Sequence, residues 1–139
     1  MRVLGLDIGK KRTGVAVSDE LGLVATPLKT IKSGGRSNII NAVKVIIEEY
    51  SVDEIVVGMP LNLNGSAGPK AEETAAFARA LEKTTGIKVF SWDERLSTVA
   101  VTRVLIEADL SRARRKEVVD KSAAAYILQG YLDRRRSAP

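Results

Sequence analysis

Asp7 interrupts a run of apolar residues close to the start of the chain. It lies in the segment VLGLDIG, between Gly5 and Gly9. Burying a carboxylate is costly unless the group is paired or bound to a cation, and the two glycines leave backbone space for a bulky group to approach. Asp7 is therefore a candidate metal ligand. The alternative is an aspartate that turns the chain at the end of a strand.

Asp120 heads an apolar stripe near the C-terminus. At helical spacing it shares a face with four residues that follow it, Ala123, Ala124, Ile127 and Tyr131. The alanines allow close packing of this face on a sheet. Asp120 is a second candidate ligand, and the alternative is an aspartate in the first turn that the helix dipole favours.

Two adjacent carboxylates, Asp93 and Glu94, follow a predicted strand that ends at Trp92. Ligands of α/β proteins bind at the carboxyl ends of strands. We favour Glu94 as the ligand because the residue directly after a strand can be committed to positioning the loop. Asp93 stays open as the second choice, and a simple polar start of a loop is the alternative to any site.

The composition limits the chemistry that these acids could perform. The chain has no cysteine and no histidine, which excludes thiolate and imidazole metal sites and nucleophiles that depend on histidine. Hard divalent cations prefer oxygen ligands. Two such ions could activate a water and stabilise the leaving oxygen of a phosphodiester. We expect no organic cofactor.

The net charge of +5 is unevenly distributed over the 139 residues. Residues 1–36 carry seven basic and three acidic groups, residues 37–108 seven and ten, and residues 109–139 eight and four. Two basic ends around an acidic middle suit a polyanion held near a carboxylate site. An ordinary solvated surface is the alternative.

The elements that must position the acids follow from apolar periodicity. Strands are predicted at Arg2–Ile8, Thr13–Ser18, Leu23–Ile31, Asp53–Gly58 and Ile87–Trp92. Helices are predicted from Ser37 to beyond Ile47, over Lys70–Thr85, from Ser97 or Thr98 to Glu107, and over Lys116–Arg135. The second helix would carry on one side Ala71, Thr74, Ala75, Ala78 and Leu81.

The short connections between the first three strands favour antiparallel neighbours. The predicted fold is a single α/β domain, 1–139, in the order βββαβαβαα. Its five-stranded mixed sheet has three antiparallel strands, two parallel additions and helices on both faces. The charged N-terminus and the lack of a long apolar run predict a cytoplasmic protein with no membrane partner.

Four motifs, in this order, give the sequence a family resemblance: GLDIGKKRTGVAVSD, VVGMPLNLNGSAGP, WDERLST and VDKSAAAYILQGYL. They resemble the YqgF (RuvX-like) family of bacterial proteins, described as Holliday junction resolvases and as nucleases that mature the 5′ end of pre-16S rRNA. The resemblance covers essentially the whole chain. It implies an RNase H-like fold with Mg²⁺ or Mn²⁺ at an acidic centre.

The same resemblance implies roles for particular residues. Asp7, Glu94 and Asp120 would be the catalytic, metal-binding acids. Contacts to the scissile strand would come from Arg95 and from the turn Lys10, Lys11 and Arg12. The loop Pro60–Gly65, with Asn62 and Asn64, would line the cleft. Branched DNA and precursor rRNA both remain open as substrates, as do a monomer and a homodimer.

Arginines and lysines cluster in and directly after the predicted polar break Asp109–Arg115, and in the tail. Arg112, Arg114, Arg115 and Lys116 are candidates for binding the phosphate backbone without reading sequence. Solubilising charge is the alternative for them, and equally for the tail residues Arg134, Arg135 and Arg136.

Two other classes of function compete with a nuclease. A non-catalytic nucleic-acid-binding or ribosome-assembly protein would carry the same basic ends, although all three acids are present. An Asp-x-Gly strand before a lysine-rich turn also resembles the phosphate hairpin of actin-like ATPases. That fold normally needs two such lobes, and no second Asp-x-Gly hairpin occurs in the sequence.

Overall fold

The computed structural model describes residues 1–62, 64–96 and 112–137, without the side chains of Leu96 and of residues 112–122. The strands are β1 (Val3–Ile8), β2 (Arg12–Ser18), β3 (Ala25–Lys32), β4 (Glu54–Met59) and β5 (Lys88–Asp93). The helices are α1 (Arg36–Tyr50), α2 (Pro69–Thr85) and α3 (Arg112–Ser137), and a 3-10 turn spans Glu94–Leu96. The predicted helix from Ser97 or Thr98 to Glu107 falls outside the described residues.

One five-stranded sheet, in the order β3-β2-β1-β4-β5, forms the centre of the protein. The first three strands are antiparallel neighbours, whereas β4 pairs parallel to β1 and β5 parallel to β4. This confirms the predicted mixed sheet. Because β1, β4 and β5 are parallel, their carboxyl ends lie at one edge of the sheet, where Asp7 and Glu94 are found.

Each face of the sheet has its own apolar core, because side chains alternate between the two faces of a strand. On one face, residues of β1 and β4 such as Leu4, Leu6 and Ile55 pack with α1 and α2. The other face packs against α3, through Val3, Ala16, Val56, Trp92, Ala123, Ala124, Ile127 and Leu128. Helices therefore cover both faces, as predicted.

Helix α3 lies very close to the sheet because small residues face one another. A methyl group added at Gly5 would lie 2.7 Å from Leu128 Cβ and 3.1 Å from the carbonyl oxygen of Ala124. On the helix side, a methyl group at Gly130 would lie 3.0 Å from the Trp92 ring. Glycine inside a helix costs about 1 kcal/mol relative to alanine, and here it lets the indole pack directly on the backbone.

One sequence-based expectation about the helices was wrong. The structure places Arg112, Arg114 and Arg115 inside α3, whereas we expected a polar break over Asp109–Arg115 and a helix beginning at Lys116. Arginine, lysine and alanine are good helix formers, so a high charge density does not end a helix. Of the residues predicted on one side of α2, Ala71, Thr74 and Leu81 are buried and Ala75 and Ala78 are half-buried, and Phe77 is buried with them.

The C-terminal end of α3 is tied to the amino end of β4 and to the start of β3. The Tyr131 hydroxyl donates to Glu54 Oε1 at 3.1 Å, and Arg135 Nη1 donates to the same oxygen at 2.5 Å. Gln129 bonds the backbone of Leu23 and Ala25, each at 2.9 Å. These contacts fix the helix along its axis. No helix of the described ranges is long and apolar enough to cross a membrane.

We expect Tyr131 to make stability depend on alkaline pH. Burial, followed by the neighbouring Glu54 carboxylate, raises the pKa of the Tyr131 phenol. The stability linked to this shift is complete below the unfolded pKa of about 10 and is lost as pH rises through the folded pKa. Urea unfolding at several pH values should show a shallower alkaline loss for Tyr131→Phe than for the wild type. Tyr126→Phe is the control on the same helix, and an unchanged slope for Tyr131→Phe would contradict this assignment.

Candidate active site

Asp7 lies at the carboxyl end of β1 and is only 8% exposed. It occupies the same face as Val3 and Gly5, the face that packs against α3. Its partner across the sheet in β2 is Gly14. On the β4 side, Leu6 pairs with Val57, so the next position along the register places Asp7 beside Gly58. The strand positions on either side of Asp7 are therefore glycines, which contribute no side chain to this strip of the sheet.

Glu94 reaches this strip from the end of β5. Trp92 and Gly58 are register partners on the α3 face, and Glu94 follows Trp92 by two positions. A methyl group built on Gly58 would lie 3.0 Å from Glu94 Oε1 and 3.2 Å from its Cγ. The Glu94 carboxylate thus lies over Gly58, on the strand next to Asp7. Two carboxylates share one face and one end of the sheet.

Asp93 takes a different position. Its register partner is Met59, and the residues two and four positions before Met59, Val57 and Ile55, face α1 and α2. The Asp93 carboxylate accepts from Arg95 Nε at 3.0 and 3.1 Å and from Nη2 at 2.6 Å. These hydrogen bonds hold the pKa of Asp93 below its usual value. Of the two adjacent acids, Glu94 is the one beside Gly58.

The third predicted acid, Asp120, belongs to α3, four residues before Ala124. Its side chain lies outside the described residues. Among the side chains that the structure describes, no group of three potential metal ligands comes together. The described side chains of the predicted site are therefore the pair Asp7 and Glu94, on the sheet face that α3 covers.

The loop between β4 and α2 borders the site. Asn62 Nδ2 donates to Ser66 Oγ at 3.0 Å, and Asn64 Oδ1 accepts from the Ser66 backbone N–H at 3.0 Å and from its hydroxyl at 2.6 Å. The two asparagines thus make hydrogen bonds that shape the loop itself. The Arg95 guanidinium lies against this loop, with Nη1 at 3.4 Å from a methyl group built on Gly65.

The predicted basic residues fall into two groups. Lys10 and Lys11 are exposed in the turn after β1, and Arg12 begins β2, so all three lie at the same end of the sheet as Asp7. Gly9 donates its N–H to the Arg12 carbonyl at 2.9 Å and closes the turn. Arg112, Arg114, Arg115 and Lys116 occupy the first turns of α3, and their side chains lie outside the described residues.

Sequence reasoning used Gly5 and Gly9 but missed Gly14 and Gly58, which flank Asp7 in the sheet. Gly58 ends the buried run DEIVVG, and Gly14 follows the turn of the first hairpin. Glycine inside a strand weakens it and often marks a close approach of another group. That signal was available at both positions. Gly65, which Arg95 approaches, adopts a positive φ of 89° and is a glycine for that reason as well.

The chain is similar to known proteins over nearly its whole length. The model of the RuvX family, described as Holliday junction resolvase, matches residues 1–134. A Clostridium kluyveri protein named "Putative pre-16S rRNA nuclease" is 52% identical over 134 residues, covering 96% of this chain and 98% of the relative. A Moorella thermoacetica protein of the same name is 54% identical, covering 96% of each chain.

Solved structures give the fold. RuvC of T. thermophilus, in complex with a Holliday junction substrate, superposes with a TM-score of 0.61 at 16% identity and covers 98% of this chain and 96% of that one. The fowlpox virus Holliday junction resolvase gives a TM-score of 0.54 at 18% identity, with 96% and 99% coverage. The RNase H-like fold expected from the sequence is thereby confirmed.

We expect Gly58→Ala to abolish most function of the site while the protein stays folded. The added methyl group would lie 2.5 Å from Ile127 Cδ1 and 3.0 Å from Glu94 Oε1, so both side chains must shift. Displacing a proposed ligand should lower metal-dependent cleavage by about 100-fold, the order found when a well-placed catalytic contact is lost. Initial cleavage rates and thermal unfolding would be measured in parallel.

Gly5→Ala is the matched control for this prediction. It lies under the same helix, and its methyl group would meet Leu128 and the Ala124 carbonyl instead of Glu94. It should lower the stability at least as much as Gly58→Ala does and retain more activity in the folded protein. Equal losses of activity in the two variants would mean that Gly58 serves packing alone.

Proposed function

Because the chain belongs to the RuvX family, we propose that it hydrolyses nucleic-acid phosphodiesters with divalent metal bound to Asp7, Glu94 and Asp120. It is a nuclease, as the family and the relatives at 52% and 54% identity indicate. The observation that carries the site assignment is the Glu94 carboxylate over Gly58, beside the buried Asp7. Two acids on one face and at one end of the sheet are the beginning of a metal site.

The path of α3 supports Asp120 as the third ligand. The helix runs antiparallel to β1. Tyr131 bonds Glu54 near the amino end of the sheet's parallel strands, and the earlier residues Leu128 and Ala124 lie over Gly5, further along β1. From Ala124 back to Asp120 the helix advances about 6 Å at 1.5 Å per residue. From Gly5 to Asp7 the strand advances about 6.6 Å at 3.3 Å per residue. The backbone of Asp120 thus reaches the level of Asp7.

The residues fit Mg²⁺ or Mn²⁺ by their chemistry. The sequence has neither histidine nor cysteine, so the ligands available are oxygen atoms, which hard divalent ions prefer. A bound ion would activate the attacking water and stabilise the charge of the leaving oxygen. Asp7 and Glu94 would hold it, and the low exposure of Asp7 would limit its exchange with solvent.

The protein's own cations would position the substrate. Lys10 and Lys11 project from the turn after β1, three and four residues beyond Asp7, and Arg95 lies beside the β4–α2 loop. Such groups bind the phosphate backbone and fix its register without reading sequence. The basic residues at the start of α3 would extend this contact. We expect the protein to act in the cytoplasm, where nucleic-acid substrates of this kind occur.

We propose pre-16S rRNA, near its mature 5′ end, as the natural substrate. The relatives that are about half identical carry the name of a pre-16S rRNA nuclease. A branched DNA junction is the second candidate, favoured by the description of the family model. Symmetric cutting of a junction would favour a homodimer, whereas trimming RNA requires only a monomer.

We expect Asp7→Asn to abolish cleavage and to preserve substrate binding. The substitution removes the negative charge that would hold the metal and keeps the size of the side chain. Cleavage of a pre-16S rRNA fragment, a four-way DNA junction, duplex DNA and single-stranded RNA would be compared in Mg²⁺ and in Mn²⁺. Glu20→Gln, an exposed acid in the β2–β3 connection at the other end of the sheet, is the control. Wild-type rates in Asp7→Asn would refute the site.

We also expect binding to weaken steeply with salt, because each neutralised phosphate releases counterions. The slope of log Kd against log salt concentration should fall by about one unit for each lysine removed from the turn, as in Lys10→Ala and Lys11→Ala. Filter binding of Asp7→Asn protein to each substrate measures the slope without cleavage. Affinity that does not respond to salt would contradict a phosphate-binding surface.

A further inference from the structure

The Asp93 carboxylate bonds both the backbone and the side chain of Arg95. It receives the backbone N–H of Arg95 on Oδ1 at 3.0 Å and the guanidinium of the same residue on both oxygens. Neither bond belongs to the sheet or to a helix. One side chain therefore bonds both the backbone and the side chain of the residue two positions ahead.

The backbone bond shapes the turn that carries Glu94. An aspartate that accepts the N–H two residues ahead closes an Asx turn, which imitates a backbone turn. Here it begins the 3-10 turn Glu94–Leu96 directly at the end of β5. Glu94 is the residue enclosed by this turn. Its carboxylate position over Gly58 thus depends on a chain direction that Asp93 helps to set.

The side-chain bonds place the guanidinium. Bidentate pairing fixes the plane of an arginine fork as well as its distance from the carboxylate. Asp93 holds the Nε and Nη2 edge, and Nη1 lies 3.4 Å from a methyl group built on Gly65, on the β4–α2 loop. A methyl group at Gly65 would thus be in ordinary van der Waals contact with the guanidinium. The ion pair links the end of β5 to the loop.

We infer that Asp93 is a positioning residue of this nuclease, which sets Glu94 through the turn and Arg95 through the ion pair. This inference rests on the proposed function, since it assigns Glu94 to the metal and Arg95 to the substrate strand. Asp93 itself would contact neither the metal nor the substrate strand. Its ion pair is partly exposed, with 20% of the Asp93 side chain and 36% of the Arg95 side chain accessible. Pairs of this kind contribute little to stability, so the effect should appear in binding and not in unfolding.

Two substitutions at the same position separate the two roles. Asp93→Asn keeps a carbonyl oxygen for the backbone N–H and places an amide N–H₂ against the guanidinium, so the turn persists and the ion pair is lost. Asp93→Ala removes both. We expect Asp93→Asn to weaken substrate binding about tenfold, the loss expected for one ordered charge-assisted contact. Its Mn²⁺ affinity, measured by calorimetry, should stay within about twofold of the wild type, because the turn that carries Glu94 is kept.

Asp93→Ala should weaken substrate binding to the same extent and, in addition, weaken Mn²⁺ binding about tenfold or more, as expected when an outer partner of a ligand is lost. Thermal unfolding of both variants should stay close to that of the wild type. Asp133→Asn removes another exposed aspartate–arginine pair, with Arg136 at the far end of α3. It is the control and should alter neither affinity.

A double-mutant cycle with Arg95→Ala tests whether Asp93 acts on the substrate through Arg95. Substrate Kd is measured without added metal, so that no cleavage occurs. Asp93→Asn should cost about tenfold in the wild-type background and nothing further in Arg95→Ala, which gives a coupling equal to the whole effect. Independent, multiplying effects would overturn the inference. Mn²⁺ affinity in Asp93→Ala equal to that of the wild type would overturn the part that concerns Glu94.

Failure of the proposed function would look different. A wild-type protein that binds the substrates but cleaves none of them would refute the nuclease site. A coupled cycle in the same experiment would still support the placement of Arg95 by Asp93. Conversely, normal cleavage by the wild type together with an uncoupled cycle would refute only the inference drawn for Asp93.

Discussion

The close approach of α3 to the sheet is the constraint on which the rest of the structure depends. It is possible only because β1 and β4 carry glycine where the helix crosses them: methyl groups at Gly5 and Gly58 would lie 2.7 Å from Leu128 and 2.5 Å from Ile127. Interiors are too well packed to absorb such an overlap without displacement. The strip that admits the helix also leaves room for the Glu94 carboxylate, 3.0 Å from the position of a Gly58 methyl group. Core packing and the proposed site therefore share one set of glycines.

The helix must be fixed along its axis as well as in its distance from the sheet. Contacts at its C-terminal end do this, since Tyr131 and Arg135 bond Glu54 at the amino end of β4. Gln129 adds bonds to the backbone at Leu23 and Ala25. A slip by one residue would move the helix about 1.5 Å, enough to break hydrogen bonds of 2.9 and 3.1 Å. The axial position of Asp120 is thus determined by polar contacts at the opposite end of the molecule.

Much of this arrangement could be predicted from the sequence, because burial and periodicity are local signals. The apolar segment VLGLDIG indicated Asp7 as a candidate ligand because a carboxylate is unusual there. Short connections predicted the antiparallel part of the sheet. The choice between Asp93 and Glu94 required the exact end of β5, which continues to Asp93 and not to the predicted Trp92. Helix α2 is rich in alanine, so its pattern did not show that Phe77 is buried. The pair of glycines beside Asp7, Gly14 and Gly58, was missed. To find it, one must know which residues of β2, β1 and β4 lie side by side, and register is a tertiary property.

The alternation of side chains along β5 explains how neighbouring residues can serve different purposes. Trp92 faces α3 and Asp93 faces the opposite side of the sheet, while Glu94 returns to the α3 side and lies over Gly58. The turn then brings Arg95 back to Asp93 and against the loop at Gly65. The proposed metal ligand Glu94 and the proposed phosphate contact Arg95 thereby both come from the end of one strand. The motif DER is thus one structural unit, in which the first residue bonds the third and the second turns its carboxylate to the α3 face of the sheet.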